Sequence, residues 1–195
     1  LHLSIRRQRQ MCIRDRLSLD AYLDKTRIPL KIDISTGDVI TPCEISFSYQ
    51  LMFENRTIPL LAYPPETVLA EKLETILSRG EANTRLRDFY DVYILQREDF
   101  VVTPDALCHA LLATCRKRGH EDLLHTYASI LDRVRQSDTM RTQWMKYQSD
   151  FDYAAGITWD TVLDTVETLC MKTLDDHAFG DELPQEESQF EMHLL

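Results

Sequence analysis

Two charged residues on a predicted strand are the first candidates for chemistry. Apolar residues stand at every second position from Ile28 to Ile34, and a proline and two charged residues stand between them. This alternation predicts a half-buried strand. Lys31 and Asp33 then share the opposite face, roughly 6.5–7 Å apart. An ordinary strand would present this pair to water. In the alternative interpretation Asp33 is a metal-binding carboxylate, since Mg²⁺ takes oxygen ligands, and Lys31 lies near a phosphate.

A lysine on the segment that follows is the second candidate. Apolar residues recur at intervals of three and four after Glu66, and Gly80 supplies a stop, which predicts a helix between them. Lys72 lies within this helix beside Glu71. The pattern alone fits a solvated lysine or an ion pair as well as it fits a functional group.

A dense run of charges on the next predicted helix is the third candidate. Asp88 and Asp91 are three residues apart, so their carboxylates share one helix face, and Arg87 can pair with Asp91 across one turn. A surface ion-pair network of this kind would contribute little to stability. However, the run is interleaved with the aromatic residues Phe89 and Tyr90. Charged side chains packed beside a core need an ion-pair partner or a functional role. Both interpretations stay open.

The elements that must position these residues change character along the chain. Two further strands are predicted, from Ile45 to Phe53 and from Ile58 to Ala62, and helices follow. The later helices are predicted over Leu86–Ile94, Ala106–Arg118, Glu121–Gln136, Asp138–Gln148 and from an N-cap at Thr158 to Leu174. Strands first and helices afterwards indicate an α+β fold with a helical carboxyl-terminal half.

Aromatic residues in the helical half have two interpretations. Trp144, Tyr147, Phe151 and Tyr153 resemble a base-stacking platform in composition. Because no basic groove is evident between them, we expect them to form the core of the helical half instead.

Composition limits the compartment and the kind of site. The five cysteines show no Cys-x-x-Cys spacing, and the histidines lack metal-ligand spacing, so neither a zinc site nor a disulfide framework is indicated. No apolar run approaches the roughly 20 residues of a membrane-spanning helix. We therefore expect a cytoplasmic protein without membrane association.

The first 16 residues are predicted not to be native. The run RRQRQMCIRD from Arg6 to Asp15 equals the translation of a transposase adapter used in sequencing-library preparation. The alternative is a basic arm that binds nucleic acid. Without residues 1–16 the formal charge of −10 becomes −14. The far end, residues 175–195, is an acidic tail that we expect to be frayed, with mimicry of nucleic acid as the alternative.

Three blocks of this sequence resemble the AbiEii/AbiGii toxin family of nucleotidyltransferases. They are PLKIDISTGDVITP (residues 29–42), SYQLMFE (48–54) and ETVLAEKLETILSRGEANTRLRDFYDVYIL (66–95). The resemblance extends from about Leu19 to Leu174. It implies a partial polymerase-β-like nucleotidyltransferase core of about three strands plus helices over residues 17–100, and an all-helical part over 101–174.

The resemblance also implies an activity and its partners. Family members transfer a nucleotidyl group from a nucleoside triphosphate with Mg²⁺, and RNA is one acceptor class. Several are toxins of toxin–antitoxin or abortive-infection systems and are paired with a separate antitoxin protein. The same partners are therefore expected for the intact parent of this chain.

The resemblance assigns roles to the charged candidates. Asp33 in the Lys-Ile-Asp-Ile motif would be the third metal carboxylate, and Lys72 would contact the nucleotide phosphates. Asp88 and Asp91 would complete the polar wall of the catalytic site, and one of them would position a catalytic group. The expected catalytic residues are thus Asp33, Lys72, Asp88 and Asp91, and the expected nucleotide-binding residues are Lys31, Lys72 and Arg87.

One departure from the family pattern affects the expected activity. Family members carry a Gly-Gly or Gly-Ser loop and an Asp-x-Asp pair upstream of the Asp33 strand, and this sequence has neither. A two-metal site needs several bridging carboxylates. We therefore expect the parent to be an enzyme and this truncated chain to be inactive. The alternative is a helical interaction module that binds an antitoxin or another partner without catalysis.

Overall fold

Two β-hairpins form the first part of the chain. The computed structural model describes residues 15–34, 37–97 and 102–175. Strand β1 (Asp15–Leu23) pairs antiparallel with β2 (Thr26–Ile34), and β3 (Ile45–Gln50) pairs antiparallel with β4 (Thr57–Ala62). Each hairpin is a separate two-stranded sheet. Strands β2, β3 and β4 confirm the predicted strands, although β3 ends before the turn that contains Phe53.

Strand β1 was not predicted, and the burial of β2 differs from the expectation. Every residue of β2 is exposed, and its four isoleucine and leucine side chains are 38–47% exposed. The alternation of Ile28, Leu30, Ile32 and Ile34 correctly indicates a strand, but no second layer of the described residues covers its apolar face. Lys31 and Asp33 accordingly lie on an exposed hairpin.

Six α-helices follow within the described residues. They are α1 (Pro65–Arg79), α2 (Leu86–Arg97), α3 (Pro104–Arg118), α4 (Leu123–Gln136), α5 (Asp138–Asp150) and α6 (Trp159–Leu174). The predicted N-cap of α6 is confirmed, since Thr158 Oγ1 accepts a hydrogen bond from the Thr161 amide at 3.1 Å. Helix α3 is followed by Gly119, whose φ of 71° lies in the left-handed region that glycine adopts without strain.

The hydrophobic core lies among the helices. Helix α1 packs against α3 and α2, and α2 packs against α6. The α1 side chains Leu69, Leu73 and Ile76 are fully buried, and Trp144 of α5 joins the same cluster. The two hairpins followed by packed helices confirm the α+β class.

The segment between the two hairpins contacts the start of α1. The Thr41 amide donates to Thr67 Oγ1 at 2.9 Å, and the Thr67 hydroxyl donates to the Thr41 carbonyl at 3.0 Å. Tyr63 donates to Asp38 at 3.0 Å. These contacts fix the start of α1, which carries Lys72.

The described residues contain no helix that is both long and apolar enough to cross a bilayer. Residues 1–14 and 176–195, which hold most of the predicted adapter segment and acidic tail, lie outside the described residues.

Candidate functional site

Lys72 and two aspartates meet where α1 packs on α2. Lys72 Nζ lies 2.7 Å from Asp88 Oδ1 and 2.8 Å from Asp91 Oδ2. The one-turn spacing on α2 turns both carboxylates toward α1, as the sequence predicted for their shared face. Of the expected catalytic residues, the structure therefore brings Lys72, Asp88 and Asp91 together.

The environment of Lys72 keeps it charged. Partial burial by itself lowers the pKa of its ammonium, but the hydrogen bonds to Asp88 and Asp91 outweigh that effect and hold the pKa above its usual value of 10.5. One positive and two negative charges leave this cluster with a net charge of −1 when all three groups are ionised. The cluster can therefore accept a further hydrogen-bond donor.

Asp88 has an oxygen that the fold leaves without a partner. The residue is only 6% exposed, and while Oδ1 accepts from Lys72, Oδ2 is buried and has no hydrogen-bond partner among the described residues. A buried carboxylate oxygen without a donor costs about 1–3 kcal/mol. Such an oxygen marks a place where a ligand could supply the donor.

Asp88 also lines a groove between α2 and α5, here called the α2–α5 groove. Its volume is about 550 Å³, and its walls carry the cations Arg85, Arg87 and Lys146 and a second carboxylate, Asp150. Tyr147 and Phe151 contribute aromatic surface on the α5 side. The groove therefore combines positive charge, aromatic faces and a buried carboxylate.

Arg87 forms the ion pair that its spacing predicted. Its Nε lies 3.7 Å from Asp91 Oδ1, one helical turn away. The Arg87 side chain is 75% exposed, so this pair contributes little to stability. Arg87 is thus available to an anion that enters the groove.

Asp33 is not brought to this cluster. It pairs with Arg16 on the neighbouring strand, through Arg16 Nη2 and Asp33 Oδ2 at 2.6 Å and through Arg16 Nε. The hydrogen bond from Arg16 lowers the pKa of Asp33, and the positive charge of Lys31 acts in the same direction. Within the described residues, no hydrogen bond or ion pair joins Asp33 or Lys31 to Lys72. Arg16 is also the last residue of the segment predicted to be non-native.

The described residues do not assemble a metal site around Asp33. They contain no group of three or more His, Cys, Asp or Glu side chains that could hold an ion. At Asp88 and Asp91, the Lys72 ammonium lies where a shared cation would bind. The residues of the described part therefore do not by themselves fit a bound Mg²⁺.

Sequence reasoning missed the α5 side of the site. Gln143 and Lys146 line the α2–α5 groove, and the buried Oε1 of Gln143 has no partner in the described part of the chain. The expectation that the aromatic residues near them are core is right for Trp144. It is wrong for Phe151 and Tyr153, which are exposed. The signal available in the sequence was that Phe151 and Tyr153 lie a few residues after Lys146.

Comparison with known proteins places the chain in a family. Among curated proteins and solved structures, none gave a significant match. The family described as the nucleotidyl transferase AbiEii toxin of a type IV toxin–antitoxin system matches residues 6–165. The matched range includes Asp33, Lys72, Asp88 and Asp91. Because the match covers most of the sequence, this chain belongs to the AbiEii nucleotidyl transferase toxin family.

Proposed function

We propose that this chain carries part of a nucleotidyl-transfer site, with a nucleoside triphosphate against Lys72 and an acceptor hydroxyl facing Asp88. The observation that carries the proposal is the cluster of Lys72, Asp88 and Asp91, in which a buried carboxylate oxygen is left without a donor beside a cationic groove. Membership of a nucleotidyl transferase family supports the same activity.

Lys72 is suited to bind a phosphate oxygen. Its ammonium is a compact charge on a flexible stem, and 27% of the side chain is exposed, so an anion can reach it. Binding requires Lys72 to loosen one of its two ion pairs. Asp91 is the more exposed carboxylate, so water can solvate it when the ammonium turns toward a phosphate.

The cations of the α2–α5 groove would help to neutralise a triphosphate. The whole chain has a formal charge of −10 and repels anions in general. On the groove walls the three cations Arg85, Arg87 and Lys146 outnumber the two carboxylates, Asp88 and Asp150. Arginine also presents a planar fork of donors that matches a phosphate.

Asp88 would accept the proton of the attacking group. In nucleotidyl transfer the acceptor oxygen forms a bond to the α-phosphorus, the bond to the bridging oxygen breaks, and pyrophosphate leaves. The hydroxyl proton passes to a nearby base. Asp88 lines the groove, and its buried Oδ2 has no hydrogen-bond partner among the described residues, so it could take this proton once the side chain turns it toward the groove.

The remaining assignments are proposals of the same kind. Family membership implies an antitoxin partner in general terms, and an RNA acceptor is proposed here. Asp33 as a Mg²⁺ ligand stays a prediction, because the described residues contain no group of three or more His, Cys, Asp or Glu side chains that could hold an ion. No step of the reaction is assigned to the ion.

Isothermal titration of the protein with each of the four ribonucleoside triphosphates, with Mg²⁺ present, tests the proposal. We expect binding to at least one of them and a loss of about tenfold or more in Lys72→Gln, since a charge-assisted hydrogen bond contributes about 1.5–3 kcal/mol. Lys172→Gln is the matched control, because Lys172 is an exposed lysine on α6 outside the groove. Equal binding by both variants would contradict the role of Lys72.

Absence of binding by all four nucleotides, together with capture of a protein partner, would favour the helical interaction module instead. Transfer of radiolabel from an α-labelled nucleotide to RNA is the measurement of activity. The prediction that this chain alone is inactive is tested by the same assay.

A further inference from the structure

The second hairpin, β3–β4, has one apolar side and one more polar side. Successive side chains of a strand point to opposite sides, and residues paired across two strands share a side. Ser46 and Ser48 of β3 therefore lie opposite to the apolar side. The apolar side consists of three cross-strand pairs, here called the hairpin face: Ile45 with Ala62, Phe47 with Leu60, and Tyr49 with Ile58.

The hairpin face lacks a covering layer. Its five large side chains are 38–50% exposed. Within the described part of the chain, the residues of each hairpin contact chiefly one another, while the helices pack together. A two-stranded hairpin is marginally stable in water unless its apolar side packs on another surface. The hairpin face therefore needs a partner surface.

The turn of this hairpin presents two further apolar side chains to solvent. Met52 is 82% exposed and Phe53 is 94% exposed. The turn is held by the side chain of Gln50, whose Nε2 donates to the carbonyl oxygens of Glu54 at 2.9 Å and Arg56 at 3.3 Å. These hydrogen bonds fix the turn without burying Met52 or Phe53. The two side chains are thus positioned for contact with another molecule.

The exposed area is large enough for a stable dimer. A large side chain presents roughly 150–250 Å² when fully exposed. The hairpin face and the turn together therefore offer on the order of 600–1,000 Å². Exposed apolar patches larger than a few hundred Å² mark interaction sites in soluble proteins. A standard protein interface buries roughly 800 Å² on each partner.

The distribution of charge favours a second copy of this chain as the partner. The formal charge of −10 opposes the approach of two copies in general. Between Ile45 and Ala62, however, the charged residues are Glu54 and Arg56, which pair with each other at 3.1 Å. This stretch has no net charge, so two copies can meet there without repulsion between their faces. A strongly basic partner would gain no attraction from it.

We propose that the hairpin face and its turn form a two-fold symmetric interface between two copies of this chain. A two-fold axis uses the same patch on both copies. The two hairpins would stack face to face about 10 Å apart, as packed sheets do. In an antiparallel stack, Met52 and Phe53 of one copy cover Ile45 and Ala62 of the other. The inference does not depend on the proposed nucleotidyl transfer.

Size-exclusion chromatography with light scattering, at protein concentrations above and below about 1 µM, tests the inference. We expect a discrete dimer. Phe47→Glu should raise the dissociation constant about a hundredfold or more, because it buries a charge without a partner in the centre of the interface. Leu61→Glu is the matched control. Leu61 is 76% exposed and pairs with Ser46 on the opposite side of the same hairpin, so the dimer should persist.

Phe53→Ser provides a second variant, which does not depend on the fold of the hairpin. Phe53 is almost fully exposed, so its loss should leave thermal unfolding unchanged while it weakens the dimer about tenfold. Circular dichroism checks that each variant is folded. A chain that stays monomeric overturns the inference, whatever other molecule covers the face. Particles of indefinite size, or equal dissociation constants in the unaltered chain, Phe47→Glu and Phe53→Ser, overturn it as well.

The dependence on salt is an independent measurement. Salt screens the repulsion between two acidic copies and leaves the apolar contact in place, so the dissociation constant should fall as salt is added. A dissociation constant that rises with salt would show attraction between opposite charges and overturn the inference. Lys72→Gln should leave the dimer intact. Failure of nucleotide binding therefore tests the proposed function and not this interface.

Discussion

The ammonium of Lys72 donates to Oδ1 of Asp88 at 2.7 Å, which joins helix α1 to helix α2 through a nearly buried carboxylate. Helix α1 supplies the cation, and the carboxylate of Asp88 on α2 is only 6% exposed. The buried carboxylate therefore depends on Lys72 for its counter-charge. Removal of one partner from a buried ion pair is more destabilising than removal of both.

This dependence predicts a strong coupling between Lys72 and Asp88. We expect Lys72→Met to lower the free energy of unfolding by about 3 kcal/mol, because it leaves the carboxylate buried without a counter-ion. The double variant with Asp88→Asn should recover most of the loss. Urea denaturation of the four members of the cycle measures the coupling. Additive losses in the double variant would show that the pair is not coupled.

The raised pKa of Lys72 predicts a pH dependence of the same pair. A pKa that is higher in the folded than in the unfolded state stabilises the fold below the unfolded value, and that stability is lost as the pH rises through the folded value. The unfolded value is close to the usual 10.5. The stability difference between the unaltered chain and Lys72→Met should therefore be constant from neutral pH to about pH 10 and shrink above it. Denaturation across this range measures it, and a difference that grows with pH would contradict the ion pair.

A second buried carboxylate predicts unequal roles for two arginines at the end of α3. Glu74 of α1 is 2% exposed and pairs with Arg118, while His120 Nδ1 lies 2.6 Å from Glu74 Oε1. We expect Arg118→Met to lower the free energy of unfolding by about 3 kcal/mol because Glu74 loses its cation.

Arg116→Met is the matched control for Arg118→Met. Arg116 pairs with Glu121 at 2.8 Å, and about half of each side chain is exposed. Its loss should cost less than about 1 kcal/mol. Thermal or urea denaturation compares the two variants. A larger loss in Arg116→Met than in Arg118→Met would contradict the importance of burial.

The sequence predicted most of the elements because their patterns are local. Helix α3 has a threonine cap, a proline at its first turn and Gly119 after its end, and these features require no tertiary information. Strand β1 was missed although Leu17, Leu19 and Ala21 alternate, because its first two residues, Asp15 and Arg16, belong to the segment assigned to adapter translation. The exposure of β2 was also missed, since alternation indicates an apolar face but not the layer that covers it.

The site was predictable only where its residues share an element. Asp88 and Asp91 lie on one helix, so their common face follows from helical spacing. The approach of Lys72 to them depends on how α1 packs on α2. Gln143 and Lys146 enter the site because α5 crosses near α2, and local pattern carries no information about that crossing. The same limit applies to the position of Asp33 relative to Lys72.

The buried cysteines predict a simple pattern of thiol reactivity. Burial raises the pKa of Cys115 to about 12 and that of Cys170 to about 12, whereas Cys43 is exposed. At about pH 8 an aromatic disulfide reagent should modify Cys43 quickly, because only accessible thiolates react. Cys43→Ser should therefore lose one rapidly reacting thiol, while Cys115→Ser should lose none until denaturant is added. Loss of a rapid phase in Cys115→Ser would show that α3 opens under native conditions.

The ion pair between Arg16 and Asp33 predicts that substitutions of these two residues change the Mg²⁺ requirement of nucleotide binding in opposite directions. If Asp33 is a metal carboxylate, Arg16 competes with the ion for the same oxygens. Arg16→Gln should then lower the Mg²⁺ concentration that gives half-maximal nucleotide binding, and Asp33→Asn should raise it. Arg27→Gln is the matched control, because Arg27 pairs with Asp20 on the same hairpin at 2.9 Å and should leave the requirement unchanged. A Mg²⁺ requirement that is identical in all three variants would remove Asp33 from the metal site and leave Lys72, Asp88 and Asp91 as the functional cluster of this chain.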